Sequence, residues 1–488
     1  DYHMPFLLPS LWYELHLVGD GTDAVGITLP GYPTIIAGHN RDIAWGATTT
    51  GADTQDLFWE RLNPDNGNEY LYKGTYHSFE TTHEEIGYDS EGELRTEKLA
   101  VRISRHGPVI NSITETLLDD GSPLALQSVA GAARGQISFC MQLFRAANWQ
   151  EFKAALALVK TPVWNWGYAD KEGNIGLKVN GSIPIRSNGS GLEPVPGWSG
   201  EHEWEGTIPF EELPELLNPA TGYIVSANNE ILDSSYPYSI FGSAFALPYR
   251  AIRIEELLSR QKRMTHQSMR NIQSDTHSLF GLTLSRYVLQ AVAEAGSDDE
   301  RITELTRYLG AWDGTTGVDS VATTVAQEFL VKLLSNTFSN KLSEDLYRHF
   351  LEPRNLNYAT GVLLLMLHDD SLDHWFDDPG TEVVEDRQRA ILKSLAEAHD
   401  SLAETFGGRV SDWRWGEIHQ ITFKHRMGSI APFKWLWNIG PAEFPGDLST
   451  VNPGRHGDLE RKPYQVTAGA SMRHVIDFGN FEDSGLVI

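Results

Sequence analysis

The hydrophobic pattern of this chain changes its period twice, and that change constrains the fold more than any single motif. Short runs of alternating apolar and polar residues, separated by turns, cover the first sixty positions, at 11–18, 24–29, 34–37 and 43–48. The strand pattern continues at 68–110 and, after one short helical pattern from 148, at 164–169 and 174–180. Helical spacing of apolar residues dominates from 249 to about position 406, most clearly at 251–261, 283–295, 321–337 and 382–406. Strand-like patterns return from 409, with 451–452 and 467–478 the best examples.

This order of elements predicts an α+β architecture with a largely helical insertion. We expect a β-rich core portion at 1–248, a helical region at 249–408 and a return to the β core at 409–488. The pattern alone does not choose among the known α+β folds.

Composition excludes several classes of partner. The excess of 66 acidic over 39 basic residues gives a formal net charge of −27. Nucleic acids and anionic membranes bind through basic surfaces, so this charge argues against both. The longest purely apolar run, at 362–367, is far shorter than the ~20 residues of a membrane span. Cys140 is the single cysteine, which excludes an intrachain disulfide, and its apolar neighbours predict that it is buried.

The stretch at 38–60, GHNRDIAWGATTTGADTQDLFWE, combines three features. Its first five residues form a polar turn between two apolar runs, which predicts a β-hairpin. The small residues at 46–51 then allow another group to come close to the backbone. Asp53, Gln55 and Asp56 follow, with enough oxygen atoms to hold a hard cation. A hairpin followed by an ordinary acidic loop is the alternative interpretation.

Further motifs accompany this stretch along the chain. They are PSLWYELHL at 9–17, RHGPV at 105–109, YAD at 168–170 with GNIG at 173–176, PVPG at 194–197, GYIV at 222–225 with NN at 228–229, and WDG at 312–314. Together, and in this order, they resemble the penicillin acylase family of N-terminal-nucleophile hydrolases. The resemblance implies an αββα sandwich, a fold with which the pattern of strands and helices is consistent.

The resemblance also implies a nucleophile that this chain does not contain. In that family a serine becomes an N-terminus when the precursor cleaves itself, and its own α-amine serves as the base. The match places Asp1 about twenty residues beyond that serine and ends before the family's C-terminal tail. We therefore expect a β-subunit that pairs with an α-subunit from the same precursor.

Four residues match positions at the family's active site. The main-chain N–H of Thr49 and the side-chain amide of Asn228 match two oxyanion donors, with Asn229 as the alternative if the register shifts by one. Arg250 matches an arginine that fixes the oxyanion asparagine or the polar end of the substrate. His3 lies where members differ, and we expect it to orient the α-amine or shuttle a proton. Without the resemblance, an ordinary strand threonine, an Asx turn after a strand at 222–226 and a surface arginine would explain the first three.

A structural Ca²⁺ ion is a further implication of the resemblance. Asp53, the main-chain carbonyl of Gln55 and Asp56 match the family's calcium loop, and Gly191 matches a distant carbonyl ligand. Where some members have another aspartate, this chain reads Ser-Ile-Phe at 239–241. A weaker or empty site is therefore the alternative.

The leading hypothesis is hydrolysis of the amide bond of small N-acyl compounds, of the penicillin, cephalosporin or acyl-homoserine lactone type. The resemblance places such an enzyme in the periplasm or outside the cell. A non-catalytic ligand-binding homologue of the same fold is the second hypothesis, with the Gly- and Pro-rich segment at 181–204 as its binding surface. A glycosidase ranks last, because no carboxylate pair stands in a recognisable setting.

Overall fold

The structure is a computed structural model, and it describes residues 1–32, 34–113, 122–132, 136–232, 235–240, 245–353, 355–430, 433–456, 459 and 464–487. Two helices, α1 (Gln136–Leu143) and α2 (Trp149–Leu156), lie among the strands of the first 217 positions. These strands are β1 (Tyr2–Pro5), β2 (Leu7–Leu8), β3 (Tyr13–Gly19), β4 (Thr22–Thr28), β5 (Ala37–His39), β6 (Ile43–Thr49), β7 (Gln55–Trp59), β8 (Leu62–Asn63), β9 (Asn66–Tyr72), β10 (Thr75–Ser78), β11 (Glu80–Ser90), β12 (Glu93–Ser104), β13 (Gly107–Pro108), β14 (Leu124–Ser128), β15 (Trp164–Asp170), β16 (Ile175–Val179), β17 (Pro184–Arg186), β18 (Val195–Pro196), β19 (Trp204–Thr207) and β20 (Glu215–Leu217).

A helical region follows and has a core of its own. Its helices are α3 (Tyr249–Ser259), α4 (His266–Gln273), α5 (Leu279–Ala295), α6 (Glu300–Gly310), α7 (Val321–Phe338), α8 (Glu344–Phe350), α9 (Leu356–His368) and α10 (Arg387–Phe406). Fully buried leucines from four of these helices meet in this core: Leu284, Leu333, Leu363 and Leu395. The last elements are α11 (Trp415–Ile418), β21 (Gln420–His425), α12 (Lys434–Trp437), β22 (Ile439–Glu443), β23 (Gly454–His456), β24 (Val466–Val475) and β25 (Gly485–Val487).

The first of two large sheets contains the predicted hairpin. Its strand order is β20-β16-β15-β6-β5-β4-β3. Strands β5 and β6 pair with Gly38 opposite Trp45, which confirms the hairpin. The side chain of Asn40 closes the turn, because its Oδ1 accepts hydrogen bonds of 2.8 Å from the main-chain N–H groups of Asp42 and Ile43. An asparagine suits this turn because its short amide bonds the backbone two residues on.

The second large sheet joins the two ends of the chain. Its path is β1-β24-β21-β2, with β22, β23 and β25 paired to members of that path. Strand β1 runs antiparallel to β24, and His3 lies opposite Ala470. Strand β21 is parallel to β24. Residues near position 470 therefore lie directly beside the first strand, although they are far from it in the sequence.

The two sheets stack, and helices cover one outer face. Helices α1 and α2 pack on the first sheet, where Phe152 and Leu156 are buried with Trp166 and Tyr168 of β15. The inner faces of the two sheets meet in a separate cluster of Trp12, Ile27, Ile36, Ala37 and Met472. The order of layers is thus helix, sheet, sheet, which are three of the four layers of the predicted αββα sandwich.

Most elements lie where the sequence pattern predicts them. Helices α3, α5, α7 and α10 confirm the four long helical predictions, and Cys140 is buried. The strand predictions at 451–452 and 222–226 are wrong. Val451 and Asn452 are buried in a bend, where the N–H of Asn452 donates to the carbonyl of Asp275, so the apolar side chain of Val451 reflects burial rather than a strand. No helix in the described part of the chain has the length and apolarity that a membrane span needs.

Candidate active site

The hydrogen-bond pattern around β6 shows where the N–H of Thr49 points. The N–H of Ala47 donates to the hydroxyl of Tyr2 at 2.9 Å, so it faces away from β15. In an antiparallel strand, N–H groups two residues apart face the same side, and the N–H of Thr49 therefore also faces away from β15. Trp164 pairs with Thr49 and has the matching orientation. Its own main-chain N–H points away from β6 and donates to Oδ1 of Asn180. The predicted donor thus faces the side of the strand on which β1 lies.

Asn228 is held in an uncommon backbone conformation. Its φ of 63° lies in the left-handed region, which asparagine tolerates better than most residues. The main-chain carbonyl accepts a hydrogen bond from the N–H of Ala246 at 2.8 Å. The side-chain Oδ1 accepts one from Nη2 of Arg250 at 3.0 Å. Because a donor occupies Oδ1, the Nδ2 group of Asn228 faces outward as a donor, and no described residue accepts from it.

Two hydroxyls tie the loop of Asn228 to the strand of Thr49. The Oγ of Ser226 lies 2.5 Å from Oγ1 of Thr48 and also accepts from Nδ2 of Asn165 at 3.3 Å. Thr48 precedes Thr49, and Ser226 stands two residues before Asn228. This short hydroxyl contact therefore brings the two predicted oxyanion donors to the same end of β6.

Arg250 bridges this loop and β1. It lies in the first turn of α3, is buried, and directs Nη1 toward Nδ1 of His3 at 3.4 Å. No carboxylate among the described residues pairs with it. Burial, and then the charge of Arg455, lowers the pKa of Arg250 to about 9, so the guanidinium stays charged at neutral pH. Because Arg250 is buried, the alternative interpretation of a surface arginine is excluded.

The side chain of His3, on β1, is only 9% exposed, and its imidazole is neutral. Burial, followed by the charges of Arg250 and Arg455, holds the pKa of His3 well below its ordinary value of 6.5. Because a guanidinium N–H faces Nδ1, we assign the ring proton to Nε2. That nitrogen lies 3.7 Å from a carboxylate oxygen of Asp1. All four predicted catalytic residues therefore lie together, and their individual roles stay predictions.

The predicted calcium residues also converge, around a residue that the sequence analysis missed. Arg186 lies against Asp56, with Nε 2.9 Å from Oδ2, and its Nη2 lies 3.4 Å from Oδ2 of Asp53. The indole N–H of Trp204 donates to the same Asp56 carboxylate. Arg186 is the only lysine or arginine of the segment at 181–206. This single arginine was the sequence feature that could have indicated a contact with the acidic stretch at Asp53 and Asp56.

Gly191 closes this cluster. Its φ is 78°, and a Cβ added there would lie 2.6 Å from Oδ1 of Asp56 and 2.7 Å from Oδ2 of Asp53. Only a glycine lets the backbone come so close to both carboxylates.

The prediction of a loop at Gln55 and Asp56 is wrong, because both residues begin strand β7 and pair with β14.

The donor set partly fits a calcium ion. Two carboxylates and nearby main-chain carbonyls are the hard oxygen ligands that Ca²⁺ prefers, and it takes six to eight of them. Burial raises the pKa of Asp53 by more than the nearby Arg186 lowers it. No group of three or more His, Cys, Asp or Glu residues suited to a metal occurs in the described ranges. Phe241, part of the 239–241 departure, lies outside those ranges.

Comparison with known proteins decides the family. The family model described as penicillin amidase matches residues 1–488. This chain belongs to the penicillin amidase family. Residues 3, 49, 228 and 250, which lie together in the structure, therefore belong to a chain that matches the family over its whole length.

Two curated family relatives cover nearly all of this chain. It is 28% identical to the acyl-homoserine lactone acylase QuiP of Pseudomonas aeruginosa, over 99% of this chain and 60% of that protein. It is 29% identical to the penicillin acylase 2 proenzyme of Pseudomonas sp. (strain SE83), over 100% of this chain and 60% of that protein. The chain thus spans about 60% of the length of these relatives.

A solved structure of the same family has the same fold. The thermostable penicillin G acylase from Alcaligenes faecalis superposes with a TM-score of 0.66 at 21% identity, over 84% of this chain and 76% of that one. This likeness shows that the penicillin amidase chain has the α+β fold of N-terminal-nucleophile hydrolases, as the sequence predicts.

Proposed function

We propose that the protein to which this penicillin amidase chain belongs hydrolyses the amide bond of small N-acyl compounds. The observation that carries the proposal is the meeting of the Thr49 N–H and the Asn228 amide at one end of β6. Two neutral donors suit a developing oxyanion, because they stabilise negative charge without giving up a proton. The proposal includes a periplasmic or extracellular location, which the family resemblance implies.

The proposed reaction proceeds through an acyl-enzyme on an N-terminal serine outside this chain. The serine Oγ bonds to the carbonyl carbon, the serine proton moves to the α-amine, and the carbonyl electron pair moves onto oxygen. Collapse breaks the C–N bond, and the departing nitrogen takes its electron pair and the proton from the ammonium. Water then repeats the two steps on the ester and releases the acid.

Each residue of the cluster has one task in this reaction. Thr49 N–H and Asn228 Nδ2 donate to the oxygen that becomes negative. Arg250 holds Oδ1 of Asn228 and so keeps Nδ2 turned toward the substrate. His3, neutral and beside Arg250, orients the α-amine. The names of the relatives, a penicillin acylase and an acyl-homoserine lactone acylase, support an N-acyl amide as the substrate.

Replacing Asn228 tests this assignment. Asn228→Ala in the full-length, processed protein should lower kcat about 10²–10³-fold with little change in KM, because the donor acts on the transition state. Acid release from phenylacetyl and fatty-acyl amides, assayed side by side, gives the measurement. Asn229→Ala is the matched control, since Asn229 bonds only its own loop, and it should retain most activity. Equal losses in both variants, or a wild type that binds amides without cleaving them, would contradict the proposal.

We also assign a structural Ca²⁺ ion to the cluster of Asp53, Asp56, the Gln55 carbonyl and Gly191. The approach of the Gly191 backbone to both carboxylates supports it. An ion there would bind oxygen ligands from β7 and from the segment at 181–206, and so fasten one to the other. Its role is stabilisation, because this cluster is distinct from the residues around Arg250.

Removal of calcium tests that site. Ca²⁺ at about 100 times its Kd should stabilise the processed protein by about 2.7 kcal/mol relative to EDTA, which thermal unfolding measures. Asp53→Asn should abolish the difference, whereas Asp65→Asn, at an exposed turn, should keep it. A metal-free protein with the same Tm in Ca²⁺ and in EDTA would show that Arg186 alone neutralises the cluster.

A second subunit from the same precursor is the last part of the proposal. Seven large apolar side chains are exposed in one short stretch, which we name the apolar patch: Met427, Ile430, Phe433, Trp435, Leu436, Trp437 and Ile439. Trp435 is 80% exposed, and it borders a concavity of about 1070 Å³ on the second sheet, lined also by Lys424 and Lys434. Exposed patches of this kind mark interaction sites.

The position of the apolar patch indicates its occupant. Side chains of Gln420, Thr422 and Lys424 line the concavity, so this part of the second sheet's outer face is open, whereas α1 and α2 cover the first sheet. The relatives extend well beyond the matched part, and one of them is named a proenzyme. An α-subunit with apolar and acidic residues would complete the fourth layer.

Replacing Trp435 tests this interface. After processing of the full-length protein, Trp435→Glu should weaken co-purification of the two subunits, because a charge would be buried in an apolar contact. Trp375→Glu is the control, since Trp375 is also exposed but lies outside the apolar patch. Unchanged co-elution of the Trp435 variant would contradict the assignment.

A further inference from the structure

Arg455 carries a positive charge that has no counter-ion in the described part of the chain. It lies on β23, and its Nε is buried without a hydrogen-bond partner. Burial lowers the pKa of Arg455, as expected for a desolvated cation. The residue as a whole is half-buried, and a partly desolvated cation with no counter-ion among the described residues costs stability. In this chain of net charge −27, acidic partners are plentiful elsewhere. Its position therefore calls for an explanation beyond packing.

Strand register places Arg455 on the inner face of the second sheet, together with His3. His3 lies opposite Ala470 on β24, and Arg455 lies opposite Ala468. Paired residues share a face, and so do residues two apart on one strand, so these four side chains point the same way. Met472 shares that face and packs against the first sheet. The two alanine methyl groups between His3 and Arg455 leave room for the long arginine side chain.

Arg250 approaches the same place from α3. Arg250 and Arg455 line one enclosed cavity with Asn357, Thr360 and Ser449. Its volume of about 10 Å³ holds at most one water molecule. No side chain on this lining is acidic, so the two guanidinium charges act in a confined, poorly solvated space.

The charged groups that act electrostatically on His3 are predominantly positive. They are Arg250 from α3, Arg455 from β23, Arg473 from β24, and the amine and carboxylate of Asp1. Arg250 in turn contacts Asn228, one of the two proposed oxyanion donors. Arg455 thus lies behind the residues that would touch the reacting atoms.

We propose that Arg455 is a positioning residue of the acyl-transfer site, where its charge, acting through Arg250 and His3, supplies positive potential to the tetrahedral oxyanion. This inference rests on the proposed function. The donors Thr49 and Asn228 contact the oxyanion as neutral groups, and the arginine charge stabilises it from a distance. The same potential disfavours protonation of the catalytic base, which is therefore available at lower pH.

The pH dependence of kcat/KM in the full-length, processed enzyme tests the inference. Arg455→Gln should lower kcat/KM about tenfold and move the acid limb of its profile up by about one pH unit. The sign follows because removal of a nearby positive charge raises the pKa of the base. Arg455→Lys should keep the acid limb of the wild type. Arg286→Gln, an exposed charge on α5, changes the net charge equally and should leave the profile unmoved.

The outcomes separate this inference from the function on which it rests. A wild type that cleaves no N-acyl amide overturns both. If the wild type is active but the Arg455→Gln variant keeps the wild-type acid limb, only the role of Arg455 is overturned. This holds whether kcat/KM is unchanged or falls equally at every pH. Thermal unfolding of both Arg455 variants identifies a variant that is misfolded, and in that case the lysine variant must still match the wild-type limb for the inference to stand.

Discussion

The hydrogen bond from Arg250 to the side-chain oxygen of Asn228 is the interaction on which the candidate site depends. A buried guanidinium with no described carboxylate partner bonds the negative end of an amide dipole, and charge-assisted bonds of this kind are stronger than neutral ones. It decides which end of the amide faces the cleft. Together with the Ala246 contact, it offsets the backbone strain of the left-handed conformation at Asn228, of the order of 1 kcal/mol.

The rest of the fold brings the partners of that interaction together from distant parts of the chain. Strand β24, near the end of the described chain, pairs with β1 and so fixes His3 beside Arg250. The hydroxyl of Tyr2 occupies the N–H of Ala47, which orients the end of β6. The helical region enters the site through the first turn of α3. A site assembled in this way depends on correct packing of both sheets and of the helical region.

The sequence predicts local features well and long-range ones only through the family resemblance. The hairpin at 38–42 and the long helices follow from turn residues and apolar periodicity, which are local properties. The meeting of Thr49 with Asn228, 179 positions apart, was expected from the resemblance alone. Arg186 and Arg455 were missed because their environments arise from contacts between segments that no local pattern encodes. The strand assigned at 451–452 failed for a related reason, since the buried Val451 gives the same apolar signal whether or not it belongs to a strand.

The account's central claim is that the N–H of Thr49 and the Nδ2 of Asn228 face one point. The most direct measurement is a crystal structure of the processed enzyme with a boronic acid bound to its N-terminal nucleophile, because the tetrahedral boronate imitates the intermediate. We expect one boronate oxygen at about 2.7–3.1 Å from both nitrogens, with Arg250 still bonded to Oδ1 of Asn228. A boronate oxygen that contacts neither nitrogen, or an Asn228 amide turned so that Nδ2 faces Arg250, would contradict it.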